Sequence, residues 1–413
     1  MNLQFDLFYV LLVLLVTTRA LGEVAERVGQ PALVGELIAG IALGVTVASY
    51  PGTFPNLADL AHNEVFVTIT ELGMFFLMLY AGVEMQPQKV LQYSRGAVVV
   101  AIGGMVLPLA LGVGLGWLFL PDSDLWSAQC LFIGTALAIT AVPVTVRILM
   151  DLGQLDTPVG QTIVSAAVFD DILSLLLLAW MTGMIATGAA LGLVDIAWLV
   201  GKIVLFFSAT AVVGLYIFPW GGRFMHHLKA QELEISAILV GAFAFAVFAE
   251  ALGLHFILGA FVAGLYFGQK TIDQQSYDRV KNTISAMTFG FLAPIFFASI
   301  GFHLNLGAVS GAPVFLAVLL FVAFFGKVIG AGGAARAFGF TERDSMTIGI
   351  GMSPRGAVEL VVAGIALKAG LFETGDTPSS IVENLFSAVV IMAVVTTVIS
   401  PIILRRIFPY GPG

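Results

Sequence analysis

The sequence is poor in charge. Only 11% of its 413 residues are Asp, Glu, Lys or Arg, and 59% are hydrophobic, against about 25% charged and roughly 45 to 50% apolar in an ordinary soluble protein. Water is therefore not the main solvent for this chain. Cys130 is the single cysteine and stands inside an apolar stretch, which excludes a disulfide framework or a thiolate metal site and leaves the redox compartment unread. The histidines, His62, His226, His227, His255 and His303, are scattered near loops or helix ends without metal-ligand spacing, so no cofactor is inferred. A net charge of -8 offers no basic field for nucleic acid. No nucleophile and base stand at recognisable spacing, which argues against a membrane enzyme.

What the chain does have is a succession of apolar segments near the ~20 residues needed to cross a bilayer. No polar stretch between them is long enough for a soluble domain. The first, Phe5 to Thr18, has no basic residue ahead of it and no small-residue cleavage site before Glu23, and reads as a retained helix rather than a signal peptide. Thirteen spans are predicted, at about 6 to 20, 32 to 49, 65 to 82, 97 to 120, 126 to 150, 160 to 187, 194 to 218, 232 to 251, 255 to 269, 284 to 304, 313 to 336, 343 to 369 and 380 to 405. Loops after odd-numbered spans, with the C-terminus, carry 14 of the 18 basic residues: Arg19, Arg27, Lys89, Arg95, Arg147, Arg223, Lys229, Lys270, Arg279, Lys281, Arg336, Arg343, Arg405 and Arg406. Positive loops stay in the cytoplasm, so the N-terminus is expected outside and the C-terminus inside. Of the others, Lys368 lies near the outer face, and Lys202, Lys327 and Arg355 fall within spans.

The chain also repeats itself. PALVGELIAGIALG (Pro31 to Gly44) aligns without gaps to HFILGAFVAGLYFG (His255 to Gly268), matching Gly35 to Gly259, Ala39-Gly40 to Ala263-Gly264 and Gly44 to Gly268. Small residues at this spacing also occur in tightly packed membrane helices generally. The second span would begin inside and the ninth outside, however, so position favours two inverted six-helix halves joined by a linker helix. The fifth member of each half is interrupted. TALAITAVPVTVRILMDLG holds Thr140 and Pro143 at its middle, and GIGMSPRGAVELVVAGIAL gathers Gly349, Gly351, Ser353, Pro354 and Gly356. Proline removes a backbone donor and clashes with the preceding turn. Paired broken helices at equivalent positions point to a substrate site, because unwound carbonyls and half-helix ends can serve ions.

A charge at the bilayer centre costs roughly 2.5 to 3.5 kcal/mol or more and is a functional candidate by default. Asp170 and Asp171 are adjacent in the sixth span, about ten residues and hence roughly 15 Å from its cytoplasmic start. Neighbours on a helix point about 100° apart, so the two carboxylates need different partners; one can bind cargo while the other is held. Lys327 in the eleventh span is again near mid-depth and is the natural counter-ion. Burial penalises both charges while pairing favours them. An aspartate that cannot hold a proton and a metal cation at once makes the two compete for one site. Arg355 and Glu359, four apart, either neutralise each other on one helix face or serve the ion path. Glu71 and Glu36 either line the cleft or sit near the interface, and Thr140 and Ser165 could offer hydroxyl oxygens to a small hard cation. Glu84, Glu250 and Lys368 lie close to helix ends, where snorkelling accounts for them.

TAVPVTVRILMDLGQLDTPVGQTIVSAAVFDDILSLLLLAW, the lysine of FFGKVIGAG, and GIGMSPRGAVEL resemble the monovalent cation:proton antiporter-2 family, and the likeness runs through nearly the whole chain. The resemblance implies a NhaA/NapA-like antiporter fold, all-α and polytopic, in which Asp171 is the ion-binding carboxylate for transported Na+ or K+. It pairs Asp170 with Lys327 in exchangers that move net charge, and places Thr140 at the crossing of the broken helices. It further implies a homodimer, with 1-96 and 232-312 as scaffold, 97-190 and 313-413 as a mobile ion-transporting core, and 191-231 as linker. Asp170 stands where the glutathione-gated potassium-efflux branch has glutamine, and the chain stops at Gly413 without that branch's nucleotide-binding domain, so that branch is not expected. Exchange of Na+, K+ or Li+ for H+ across a bacterial inner membrane, or an equivalent organellar one, is the expected activity. A gated channel and a sodium-coupled organic-anion symporter are the alternatives. One deep site between broken helices favours alternating access over the first, and the Asp-Asp/Lys set argues against the second.

Overall fold

A computed structural model of the chain describes residues 3–407 apart from 51, 55–56, 58–59, 61–62, 85–86, 124, 188–192, 219, 221–231, 268–273, 303–306, 357–358, 360–361, 364–365, 368–369 and 373–378. His62, His226, His227, His303, Arg223, Lys229, Lys270, Lys368 and Gly268 lie outside the described residues. Among those described, the regular structure is helical: α1 (Leu3–Arg27), α2 (Ala32–Ser49), α3 (Glu64–Glu84), α4 (Pro87–Phe119), α5 (Trp126–Ala138), α6 (Val142–Asp151), α7 (Pro158–Thr187), α8 (Leu193–Val212), α9 (Glu232–Ala251), α10 (Phe256–Tyr266), α11 (Gln274–Met287), α12 (Ala293–Phe302), α13 (Gly307–Gly311), α14 (Pro313–Phe338), α15 (Glu342–Gly351), α16 (Ser380–Glu383) and α17 (Leu385–Ile407). Ten helical stretches among the described residues are long and apolar enough to cross a membrane, and each falls on a predicted span. The other predicted spans, 160 to 187, 255 to 269 and 343 to 369, fall on α7, on the short α10, and on α15 with the chain beyond it.

Several predicted ends move. The first helix runs past 20 to Arg27, and the Thr17 and Thr18 hydroxyls within it bond back to Val13 O (2.7 Å) and Leu14 O (2.6 Å). The helix predicted from 284 begins at Gln274. Its polar first turns are anchored by the buried Tyr277, whose hydroxyl donates to Val83 O at 2.8 Å, and a π-helical turn, Thr288–Leu292, leads into α12. Helix α14 stops at Gly339, which takes φ 112°, a left-handed conformation open to glycine at no steric cost. Thr341 then caps α15 by accepting the Asp344 N–H at 3.1 Å.

The chain divides into two compact units. One comprises Met1–Ala20, Val47–Gln92 and Leu193–Ser299; within it Phe75 stacks on Phe243 at 4.5 Å between ring centroids, and Glu84 is paired with Lys281 at 2.7 Å. The other comprises Leu21–Thr46, Tyr93–Gly192 and Ile300–Gly413. Its apolar core gathers Phe132, Phe315, Leu319, Leu371 and Met392, all fully or almost fully buried.

The glycines of the aligned segments pack alike. A Cβ on Gly35 would run into the backbone of Leu21, and one on Gly259 into that of Phe245, in each case fourteen residues earlier on the preceding helix. One step along, Gly40 lies against Gly301 of α12, where an added Cβ would stand 2.7 Å from Gly40 O, and Gly264 lies against α3, where its Cβ would stand 2.8 Å from Val83 N. Such close backbone approach requires residues without a side chain.

Candidate functional site

The second unit contains both interruptions. Helix α5 ends at Ala138, Ile139 turns extended (φ -68°, ψ 146°), and α6 restarts after an extended Ala141 with Pro143 in its first turn, where the missing N–H costs nothing. Helix α15 ends at Gly351, and Ser353 to Gly356 are non-helical. The two breaks satisfy each other. Ala141 N donates to Pro354 O at 3.0 Å, the Thr140 hydroxyl donates to Met352 O at 3.0 Å, and the Thr145 hydroxyl to Gly351 O at 3.1 Å. Ser353 turns back instead, its hydroxyl donating to Gly349 O at 2.8 Å. Backbone groups cannot be left bare at this depth, and here crossing strands of unwound chain supply the partners that each helix has lost.

The last carbonyls of α5 meet two cations. Thr135 O accepts Ile139 N at 3.2 Å, Ala136 O accepts Arg355 Nε at 3.3 Å, Leu137 O accepts Arg355 Nη2, and Ala138 O accepts the Lys327 ammonium. All four orphan carbonyls of this helix end are thereby filled, and positive charge stands where the helix dipole is negative. Arg355 also donates to Ser353 O (2.9 Å) and Ala323 O (3.2 Å). The helical i,i+4 geometry expected for Arg355 and Glu359 is absent, because Arg355 lies in the non-helical segment. Glu359 Oε2 accepts the Gly356 N–H at 2.6 Å, and its other oxygen finds no hydrogen-bond donor among the described residues.

Asp170 and Lys327 pair at 3.2 Å, both side chains 0% exposed. Asp170 Oδ1 accepts no hydrogen bond among the described residues. Asp171 differs: it is 9% exposed and makes no hydrogen bond or ion pair with another described residue. One carboxylate is thus closed by an ammonium while its neighbour is open to a proton or a bare cation. Ser165 is buried on the same helix, α7, and its hydroxyl has no partner among the described residues. Glu71 belongs to the first unit, where it lines a pocket with Thr68, Phe75, Phe243 and Glu250. Glu36 is fully buried in the second unit, 3.8 Å from Arg147 Nη2. Arg147 itself, grouped above with the loop cations, is buried in α6 and paired with Asp151 at 2.9 Å. Neither Arg147 nor Thr145 carries a sequence signal of its own, since both depend on where the helix resumes.

Packing at this centre leaves no slack. A Cβ on Gly349 would stand 2.6 Å from Val328 O and 2.9 Å from Val328 Cα, one residue from Lys327. Gly349→Ala is therefore expected to lower stability by about 1 to 3 kcal/mol, read as a lower unfolding midpoint in detergent; an unchanged midpoint would contradict this contact.

Comparison with known proteins agrees with this architecture. Residues 10–409 match the family described as sodium/hydrogen exchanger, transmembrane. The Na(+)/H(+)-K(+) antiporter GerN of Bacillus cereus is 30% identical over 98% of this chain and 97% of its own length. GerT of the same organism, named a probable Na(+)/H(+) antiporter, is 32% identical over 97% of this chain and 99% of its own. The sodium proton antiporter MjNhaP1 of Methanocaldococcus jannaschii, solved at pH 8, shares the fold with a TM-score of 0.66 at 17% identity, covering 98% of this chain and 97% of that one. With all but its first and last few residues matched, the chain belongs to the transmembrane sodium/hydrogen exchanger family.

Proposed function

We propose that the chain is an electrogenic Na+/H+ antiporter of the monovalent cation:proton antiporter-2 type, in which Asp171 holds Na+ and H+ in alternation while Asp170, paired with Lys327, is the second carboxylate. The observation that carries this reading is the contrast at the helix crossing: a sealed Asp170–Lys327 pair next to an Asp171 carboxylate without a partner among the described residues. Thr140 borders the site through the crossing, Arg355 and Glu359 hold the half-helix ends, and Ser165 is a further oxygen donor. Moving one net charge through 100 mV is worth about 2.3 kcal/mol, so such an exchanger draws on membrane potential as well as on the pH gradient. K+ is the second reading for the cargo, favoured by the printed name of the Bacillus cereus relative, which includes K(+).

The topology we propose has thirteen spans in two inverted six-helix repeats joined by a linker helix, NhaA/NapA-like. The paired packing of Gly35 and Gly259 on the helix before, and of Gly40 and Gly264 on a helix of the opposite half, α12 and α3 respectively, supports the repeat. The mobile core comprises 97-190 and 313-413, the scaffold and dimer face 1-96 and 232-312, with 191-231 between them. Both broken helices, Asp170, Asp171 and Lys327 belong to one compact unit, as an elevator-like carrier of the ion requires; the same unit also takes in Leu21–Thr46. The basic loops support a cytoplasmic C-terminus, in a bacterial inner membrane or an equivalent organellar one.

The test is a pH-sensitive dye in proteoliposomes holding an imposed ΔpH, with NaCl, KCl or LiCl added in turn. The expected result is collapse of the gradient by Na+, faster when an inside-negative or inside-positive potential of the favourable sign is imposed. Collapse by K+ alone would establish the second reading. Verified, folded protein that responds to none of the three salts would sink antiport.

A further inference from the structure

We propose that Thr397 of α17 is a positioning residue for ion exchange, its hydroxyl holding both backbone polar groups of Arg355 and so fixing the unwound strand of the crossing. The inference rests on the reading that this crossing carries the ion site.

Hydroxyl groups in membrane helices ordinarily bond to their own backbone, and most of those described here do. Thr162 donates to Pro158 O (2.8 Å), Ser174 to Asp170 O (2.7 Å), Thr210 to Phe206 O (2.8 Å) and Ser400 to Thr396 O (2.7 Å). Thr396, the residue next door, donates to Met392 O at 2.8 Å. Thr397 does otherwise. It is fully buried, it accepts the Arg355 N–H at 3.1 Å, and it donates to Arg355 O. Arg355 sits where the helical ladder has ended, so without Thr397 both its N–H and its carbonyl would be buried without these partners, a costly state in an apolar surround.

The same residue is gripped at its other end. The Arg355 guanidinium fills Ala136 O and Leu137 O at the end of α5, and the next carbonyl, Ala138 O, takes the Lys327 ammonium that pairs with Asp170. A displacement of the Arg355 backbone is therefore handed on through its side chain to the α5 terminus, and from there to the ammonium and the acid pair. Thr397 is the point at which α17 sets the position of that chain of contacts. Nothing in the run VVTTVIS separates Thr397 from Thr396; only the partner does.

The experiment compares the full chain with Thr397→Val, which keeps the shape and removes the hydroxyl, Thr397→Ser, which returns it, and Thr396→Val, which removes a hydroxyl bonded only within its own helix. Two quantities are read: the Na+ concentration giving half-maximal ΔpH collapse in proteoliposomes, and backbone hydrogen exchange over residues 353–356. Thr397→Val is expected to raise half-saturation about tenfold while the maximal rate per folded protein changes less than about twofold, and to speed exchange at 353–356 about tenfold. Thr397→Ser and Thr396→Val are expected to stay near the natural protein in both. Should Thr397→Val not fold, Thr397→Ala carries the same comparison. A half-saturation unmoved in Thr397→Val, or moved equally in Thr396→Val, overturns the proposal, as does a loss confined to folded yield or maximal rate. If the natural protein itself moves no cation, the transport reading has failed, and hydrogen exchange alone decides the hold on Arg355: faster in Thr397→Val only, it stands; equal in all variants, it falls.

Discussion

Asp171→Asn is expected to reduce cation-driven proton movement to the level of empty vesicles while leaving the protein folded. Asparagine matches aspartate in shape but carries no charge to hold a desolvated cation and no proton to release. Asp171 makes no ion pair or hydrogen bond with another described residue, so nothing structural is lost with its charge. Removing a buried charge without a partner relieves a desolvation penalty, and the unfolding midpoint should hold or rise. The natural protein should show the matching competition. Only the ionised carboxylate binds Na+, so the apparent affinity is reduced by the fraction of protein in that form. Half-saturating Na+ should thus rise as pH falls, approaching about tenfold per pH unit once the site is mostly protonated, and be flat at alkaline pH. A mutant that still exchanges, or a half-saturation independent of pH, would remove Asp171 from the role assigned to it. The measurement is the initial rate of dye response across a pH series, with Na+ titrated at each pH.

The contrast between what the sequence displays and what it conceals follows from distance along the chain. Asp170, Asp171 and Lys327 are visible because a charge in an apolar run is conspicuous without knowledge of its partner, and mid-depth can be counted in residues. Pro143 and the Gly349-to-Gly356 cluster announce their breaks because the defect is local to the backbone. Arg355 shows the limit. Four residues from Glu359, it looks like half of a helical ion pair, yet the break that the neighbouring Pro354 signals also removes the helix on which that pairing depends. Its guanidinium instead serves carbonyls of α5, more than two hundred residues away in sequence. Closeness to a span end makes Arg147 read as a loop cation, whereas the restarted helix buries it against Glu36 and Asp151. The ten apolar helices of spanning length fall on predicted spans because hydropathy is additive along a segment, while the shortness of α10 and the interruption after α15 weaken that signal.

Lys327→Met should destabilise the protein by about 3 to 5 kcal/mol, the range for removing one partner of a buried ion pair. The Lys327 ammonium is fully buried and serves two acceptors, Asp170 Oδ2 at 3.2 Å and Ala138 O. Its loss leaves a buried carboxylate whose other oxygen already lacks a donor among the described residues, together with a bare carbonyl at the end of α5. Adding Asp170→Asn to Lys327→Met neutralises the stranded charge, and a neutral pair of similar volume costs far less than half of an ionic one. The double variant should therefore be more stable than Lys327→Met alone, with a coupling of about 0.5 to 3 kcal/mol between the sites, measured as unfolding midpoints of all four proteins in one detergent. Function supplies an independent arm. The double variant keeps Asp171, so it should still exchange one cation for one proton, but with the second carboxylate gone no net charge remains to be moved, and its rate should ignore an imposed membrane potential that accelerates the natural protein. A double variant less stable than Lys327→Met would show that the pair does not hold the core in this way. Exchange that stays sensitive to potential would place the transported charge on groups other than Asp170 and Lys327, with the buried Glu359 at the crossing the next to substitute.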